Sequence, residues 1–445
     1  MKDKKLVADS DAGMLTQRKN GFSEEKVEEI TTKLLNYCIR NDWAGYDPYD
    51  ALNSKLLNFL PFLNFRLFRI CLTQLLKRSP IDIRPLLLVP KTENPKAIAL
   101  FLMSFLKLDR LGLLENKDLI PLMIQKLIDL RSIGNSSNST DSTNSDDPYW
   151  RWGYNFPWQT RKIVVKRGAP NLVCTYFVAS ALLDAYERYG VQSYLDMSES
   201  AAEYILNELY WTQGDSIACF SYFRYPVNFL PHKVHNVNLL GAALLSRVQH
   251  FSAKKKYLEP ALKVARYSAA KQRDDGSWDY GEHPTHRWID NFHTGYNLCA
   301  MESICRYAET SEFESHIRRG FEFYRKHFFA KDGSPRYFHN RTYPIDIHCV
   351  AQSIITMLTL GHYGENSASQ AQLVLDWAMT HMWNDDGYFY YQVLPFFTNK
   401  IQYIRWSQAW MLLALSEVLD YCSKAATGMG GREEVEQKVR CEARP

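Results

Sequence analysis

The chain predicts an all-α fold: an (α/α)6 toroid of helical hairpins forming a single large domain. Three observations carry that reading. First, the second half repeats. A helical stretch ends in an Asp-Gly turn, an aromatic-rich stub follows, and a second helix opens on a polar residue. The turns are Asp275-Gly276, Asp332-Gly333 and Asp386-Gly387, with a looser unit at Gly214-Asp215. The period is roughly 55–58 residues, the length of one helical hairpin with its loop. Second, two kinds of helix alternate. Residues 171–189, 236–248, 294–307, 348–360 and 406–419 are rich in Ala, Ser, Gly, Cys and Leu and are apolar around most of their circumference, as helices packed on both sides are. Residues 197–209, 261–271, 316–328 and 369–382 are amphipathic, as an outer ring requires. Third, the apolar helices open on polar residues at matching places, near His235, His293, His348 and Arg405.

The elements follow in chain order. Residues 1–22 are charged and are expected to be disordered, with the toroid over 23–422. Ser23 is placed to cap a helix over Glu24–Arg40, whose first turn carries Glu24 and Glu25 where the helix dipole favours acids. A loop holding Trp43, Tyr46, Asp47 and Asp50 comes next. Residues 56–77 mix apolar and basic side chains around Pro61, Arg66 and Arg69. They are suited either to an anionic membrane surface or to lying against the toroid. Asn94-Pro95 opens a helix running to Arg110, and another covers 119–133. Residues 134–147 are low in complexity and cannot bury a face, so they read as a flexible insertion. An aromatic loop over 148–161 leads into the alternating helices, and 423–445 reads as a disordered tail.

With 46% hydrophobic and 14% aromatic residues in 445, the chain can bury a large core, and the repeat favours one closed domain over several. A net charge of +4 calls for no nucleic-acid partner. The cysteines include no C-x-x-C pair, and Cys174, Cys299 and Cys349 lie in apolar runs. They read as reduced thiols of a cytoplasmic protein, with residues 56–77 offering a peripheral contact at the inner membrane face. There is no G-x-S-x-G, P-loop or dinucleotide fingerprint and no paired histidines on one helix. No cofactor and no metal are expected.

In a toroid the inner helices run parallel and bring their N-terminal ends, with positive dipole ends and unpaired N–H groups, to one mouth. The residues expected there are His235 and Asn236; Asp290, Asn291 and His293; Asp346 and His348; and Arg405 and Trp406. From the first half come Trp43, Tyr46, Asp47 and Asp50, and then Trp152, Tyr154, Asn155 and Trp158. Aromatic faces stack on sugar rings, and Asp, Asn, His and Arg bind hydroxyl and carboxylate groups, so the expected partner is a saccharide. Asp290 and Asp47 form the candidate carboxylate pair of a glycosidase. His293, His235 and His348 are the candidates for proton transfer or hydroxyl contacts, with Arg405 holding an acidic group as in a lyase or epimerase. Each Asp before a helix also serves as an N-cap. The Asp-Gly turns read as structural.

Two resemblances extend this. The hairpin repeat resembles the α/α toroids, of which six-hairpin glycosidases, polysaccharide lyases and sugar epimerases form one group, and terpenoid cyclases and prenyltransferases another. KQRDDGSW, through Gln272, Gly276 and Trp278, is similar to the Q-x-x-x-G-x-W repeat of triterpene cyclases. The cyclases' D-x-D-D motif and the prenyltransferases' Asp-x-Cys segment are absent from the sequence. WAGYDPYDALNS, NPKAIALF, WGYNFPWQTR and PNLVCTYFVASALLDAY resemble bacterial and archaeal proteins associated with surface-polysaccharide biosynthesis. That resemblance implies a six-hairpin fold in a saccharide context and assigns no catalytic residue. A prenyl-handling toroid and a non-catalytic scaffold of a synthesis complex stay open beside the saccharide-active enzyme.

Overall fold

The computed structural model describes residues 23–59, 62, 65–133, 148–160, 163–225 and 231–427. The predicted N-terminal tail, the 134–147 insertion and most of the C-terminal tail lie outside the described residues. The first helices are α1 (Glu24–Arg40), α2 (Lys55–Phe59), α3 (Arg66–Arg78), α4 (Pro95–Arg110) and α5 (Leu119–Asp129). Next come α6 (Leu172–Tyr189), α7 (Gln192–Tyr204), α8 (His235–Ser252), α9 (Leu258–Ala269) and α10 (Asn291–Tyr307). The chain ends with α11 (Glu314–His327), α12 (Ile347–Thr359), α13 (Ser367–His381) and α14 (Ala409–Ala426). Helix α14 therefore runs into the stretch read as tail.

The even-numbered helices from α4 to α14 form the inner ring, each packed on the next, and α14 closes onto α4. Each also packs on an outer helix from α5, α7, α9, α11, α13 and α1. The first helix of the chain thus partners the last, and this seam makes the toroid a closed unit. Pro95–Arg110, read from sequence only as one more helix, is the sixth inner helix. It is buried along nearly its whole length, from Pro95 to Asp109. Inner helices are made of small and aliphatic residues because they have no solvent face, and their buried side chains join one continuous core.

The Asp-Gly turns join neighbouring outer helices. Gly276, Gly333 and Gly387 have φ of +88°, +87° and +95°. A Cβ at these glycines would sit 2.3 Å from Arg319 O, 2.5 Å from Leu373 O and 2.6 Å from Lys33 O. Each turn therefore lies directly on the backbone of an outer helix: α11, α13 and, for the last turn, α1. Two demands coincide there, a left-handed backbone and no room for a side chain, and glycine alone meets both. Asp275 and Asp332 complete their turns by accepting from the amide and hydroxyl of Ser277 and Ser334. Gln272 and Trp278 are structural as well. Gln272 bonds Gly276 O and His316 O, and the Trp278 indole donates to Ser268 O.

Between α1 and α4 the ring carries an addition. Helix α3 packs Leu72 and Leu76 over Ala51, Leu57, Ile83 and Leu87 in a small separate core. Lys77 Nζ donates to the Tyr49 hydroxyl at 2.7 Å, which holds α3 beside the mouth of the toroid.

Candidate functional site

The first turns of the inner helices build the site, and register within that turn decides where each side chain goes. Successive helical residues are rotated by about 100°. The first residue of each turn faces the outer ring. There the Asn291 side chain bonds Tyr324 OH at 2.8 Å and Ser353 Oγ at 3.2 Å. His235 Nδ1 lies 3.4 Å from Ser268 Oγ on α9. Burial pushes the His235 imidazole down to about 4. Both residues, expected at the mouth, instead join the two rings.

The second residue faces the axis. Lys96, Phe292, His348 and Arg405 hold this position on α4, α10, α12 and the turn leading into α14. Lys96 crosses the ring: its Nζ lies 4.1 Å from the Phe177 ring centre and 5.1 Å from that of Trp410, and 3.5 Å from the hydroxyl of Tyr296 on the opposite helix α10. Among the described residues no carboxylate pairs with it, and burial, with Arg405 nearby, lowers its basicity far below that of an ordinary lysine. Tyr296 OH shares a 2.6 Å hydrogen bond with His348 Nε2. The His348 ring is stacked between Phe292 and Trp410 at 4.6 Å from each. Burial, reinforced by Lys96 and Arg405, holds His348 neutral. Among the described residues, His348 Nδ1, Trp410 Nε1 and, on the first turn of α8, Asn236 Oδ1 are buried with no hydrogen-bond partner. Each such atom costs about 1–3 kcal/mol unless a polar molecule meets it.

The third residue on α10 is His293, and it behaves differently. Asp290 caps the helix, accepting from the His293 amide at 3.1 Å. The same carboxylate accepts from His293 Nδ1 at 2.8 Å and from Trp288 Nε1 at 3.2 Å. Asp290 is buried, while the His293 side chain remains 22% exposed. With Nδ1 bound to a carboxylate, the tautomer is set and Nε2 is left as a proton acceptor. The imidazole lies against Tyr280 at 4.6 Å and Phe292 at 4.2 Å. Trp288 stacks on Tyr280 at 4.7 Å and 11°. His286 stands edge-on to both rings at 5.5 Å.

Asp47 and Asp50 have other work. Arg405 binds Asp47 in a two-point ion pair, Nε to Oδ2 at 2.5 Å and Nη2 to Oδ1 at 2.9 Å, and both residues are buried, at 3% and 4% exposure. Asp50 pairs with buried Arg84 at 2.7 Å, whose other arm reaches Asp47 O at 3.0 Å. Burial raises Asp50 to about 6 against the pull of Arg84. Among the described residues Asp47 and Asp290 share no hydrogen-bond partner: Arg405 and the Tyr49 amide hold Asp47, and His293 and Trp288 hold Asp290. Arg405, expected to hold an acidic group of a ligand, is already holding one. Asp346 is a fully buried junction that takes hydrogen bonds from Gln392 at 2.5 Å, the His348 amide at 2.9 Å and Trp406 Nε1 at 2.8 Å. Burial raises its carboxyl to about 6.

The expected aromatic platform divides. Trp43 packs edge-on against Phe101 and Phe105, and Trp152 is fully buried with its indole bonded to Leu127 O at 2.7 Å. Both are buried members of the hydrophobic core. Tyr46 lies beside Arg84 and Lys91. Tyr154 does reach the mouth: it stacks on Phe156 at 5.3 Å, faces Arg405 at 5.3 Å and bonds Tyr222 OH at 3.2 Å. Trp158 is half-buried beside Tyr154 and Tyr222.

Sequence reasoning missed Lys96, Tyr296, Tyr280 and Trp288. One signal for Lys96 was available. A cation in the first turn opposes the helix dipole, and a residue placed against a local rule marks a position held for another reason.

No protein-family profile matches the chain, and no curated protein matches it in sequence. Solved structures do share its fold. A GH76 α-mannanase of Bacteroides thetaiotaomicron superposes with a TM-score of 0.58 at 10% identity, over 75% of this chain and 88% of that one. An unsaturated glucuronyl hydrolase of Streptococcus agalactiae gives 0.56 at 10% identity, over 89% and 91%. A cellobiose 2-epimerase of Spirochaeta thermophila gives 0.54 at 13% identity, over 75% and 87%. The chain is an α/α toroid of the six-hairpin type.

Proposed function

We propose that this protein is a carbohydrate-active enzyme in surface-polysaccharide or glycoconjugate synthesis, and that it works by proton transfer, as an epimerase or lyase does, rather than through a pair of carboxylates. The observation that carries this is the Asp290–His293 dyad, whose imidazole is oriented through Nδ1 and whose side chain is 22% exposed. The likeness to mannanase, epimerase and glucuronyl hydrolase structures supports a saccharide substrate. The surface-polysaccharide setting rests on the sequence resemblance alone. Asp47, locked onto Arg405, is poorly suited to act as acid, base or nucleophile.

In this reading Tyr280, Trp288, Tyr154 and Trp158 hold the sugar. His293 Nε2 takes the proton from a carbon beside a carbonyl or carboxylate, leaving an enediolate. The Tyr296–His348 pair faces the axis, with the Tyr296 ring 5.9 Å from that of His293, and supplies a second proton-handling group. Return of a proton to the other face inverts the centre, and loss of a β-substituent gives elimination.

The test is proton NMR in D2O with reducing disaccharides, mannan oligosaccharides and uronate-containing oligosaccharides. The expected result is deuterium entering at one carbon, or a new unsaturated sugar, and its loss in His293→Asn. Release of reducing ends without exchange, abolished by Asp47→Asn and Asp290→Asn but not by His293→Asn, would replace this reading with the paired-carboxylate hydrolase.

A further inference from the structure

Residues 51–81 contain five basic side chains and no acidic one. The structure shows how they are displayed. Helix α3 turns Leu72 and Leu76 inward, which leaves Leu67, Cys71 and Leu75, spaced four apart, on its outer face, with Arg66 and Arg78 also exposed. Phe59, at 75% exposure, Phe62 and Phe65 precede that face. Two hydrogen bonds extend the surface. Lys55 N donates to Leu88 O, which brings Leu86, at 79% exposure, and Leu88 beside the start of α2. Asn399 Nδ2 donates to Ser79 O at 2.9 Å, which brings the loop bearing Phe397 and Phe396, the latter 96% exposed, next to the end of α3.

Single exposed apolar side chains are ordinary, whereas a continuous group of large ones marks an interaction surface. This group consists of protruding Phe and Leu tips with long cationic stems among them. That pattern suits a bilayer interface, where apolar tips enter the acyl boundary and Arg and Lys reach the headgroups. No helix among the described residues is long and apolar enough to cross a membrane, so the contact is with its surface. The surface also adjoins the mouth: Lys77 on α3 bonds Tyr49, whose ring meets Trp406 at 5.5 Å.

We propose that the outer face of α3, with Phe59, Phe62, Phe65, Leu86, Leu88 and the Phe396–Phe397 tip, docks on an anionic lipid bilayer and holds the mouth of the toroid at the membrane surface. This stands apart from the identity of the reaction.

The experiment is flotation of the full chain with vesicles of phosphatidylcholine alone and of equal parts phosphatidylcholine and phosphatidylglycerol. Binding is expected to the second only, weakening as salt rises. Phe396→Ser with Phe397→Ser is expected to lower partitioning about tenfold or more, and Arg66→Glu with Arg78→Glu by a similar factor. All four positions are exposed, and unfolding curves confirm that each variant folds. The proposal is overturned if the wild type floats with neither vesicle, if binding ignores phosphatidylglycerol, or if both variants bind as the wild type does. It is equally overturned if sedimentation shows a self-associated species that the same variants dissociate, because the face would then be covered by a second copy.

Discussion

The helix starts at His293 and His348 look alike in sequence, each an Asp followed shortly by His at the head of an inner helix. In the structure they differ completely. His293 follows Asp290 by three positions, so the imidazole swings back over the cap and bonds the capping carboxylate. His348 follows Asp346 by two positions, so the ring points down the axis and meets Tyr296 instead. His235, with Val234 in the capping place, faces the outer ring. One residue of register is about 100° of rotation, enough to turn a catalytic candidate into a neutral floor group or a structural one. Three histidines that seemed to form a ring of equivalents therefore serve three different surroundings.

The widest gap between these positions is expected in activity. His293→Asn should lower turnover about 10²–10⁴-fold while changing stability by less than about 1 kcal/mol, since the side chain is partly exposed and Asp290 still caps the helix. Exchanging the neighbours, Phe292→His with His293→Phe, would carry the imidazole to the axis. It should cost as much activity as His293→Asn if register is what matters, as steady-state kinetics would show.

Asp47→Asn should act the other way, lowering unfolding free energy by about 3–5 kcal/mol in urea titration because Arg405 is left buried without its partner. His235 gives a pH signature. Its folded value of about 4 lies below the ordinary 6.5, so the folded state resists protonation. Its contribution is complete above 6.5 and is lost as pH falls toward 4, roughly 3 kcal/mol in all. The stability difference between wild type and His235→Gln should narrow by that amount over this window. Asp346 and Asp50, both raised, act in the opposite sense across the same range, so the comparison with the variant isolates the histidine. Gly333→Ala is expected to lower stability by at least about 1–3 kcal/mol in urea titration, because its φ is +87° and a methyl group would press on Leu373 O.

The toroid was legible because its signals are periodic. Asp-Gly turns and alternating helix types report packing that repeats around the ring, and α1 closing on α14 follows from a whole number of hairpins. The site was legible only as a list of helix starts. Asp290 and His293 are three residues apart, and their contact is local, within reach of the sequence. Lys96 and Tyr296 are two hundred residues apart and meet only because α4 and α10 face each other across the axis. Trp43 and Trp152 looked like platform residues because composition records an aromatic without recording which way its loop turns. Asp47 looked free because its partner, Arg405, lies at the other end of the chain.

The most direct measurement is activity per folded molecule for His293→Asn and Asp47→Asn side by side, with the folded fraction determined independently. Asp47→Asn is predicted to keep activity within about tenfold once its lost stability is allowed for, and His293→Asn to lose at least about 10²-fold. The reverse order, a silent His293→Asn and an inactive but folded Asp47→Asn, would contradict the proton-transfer account.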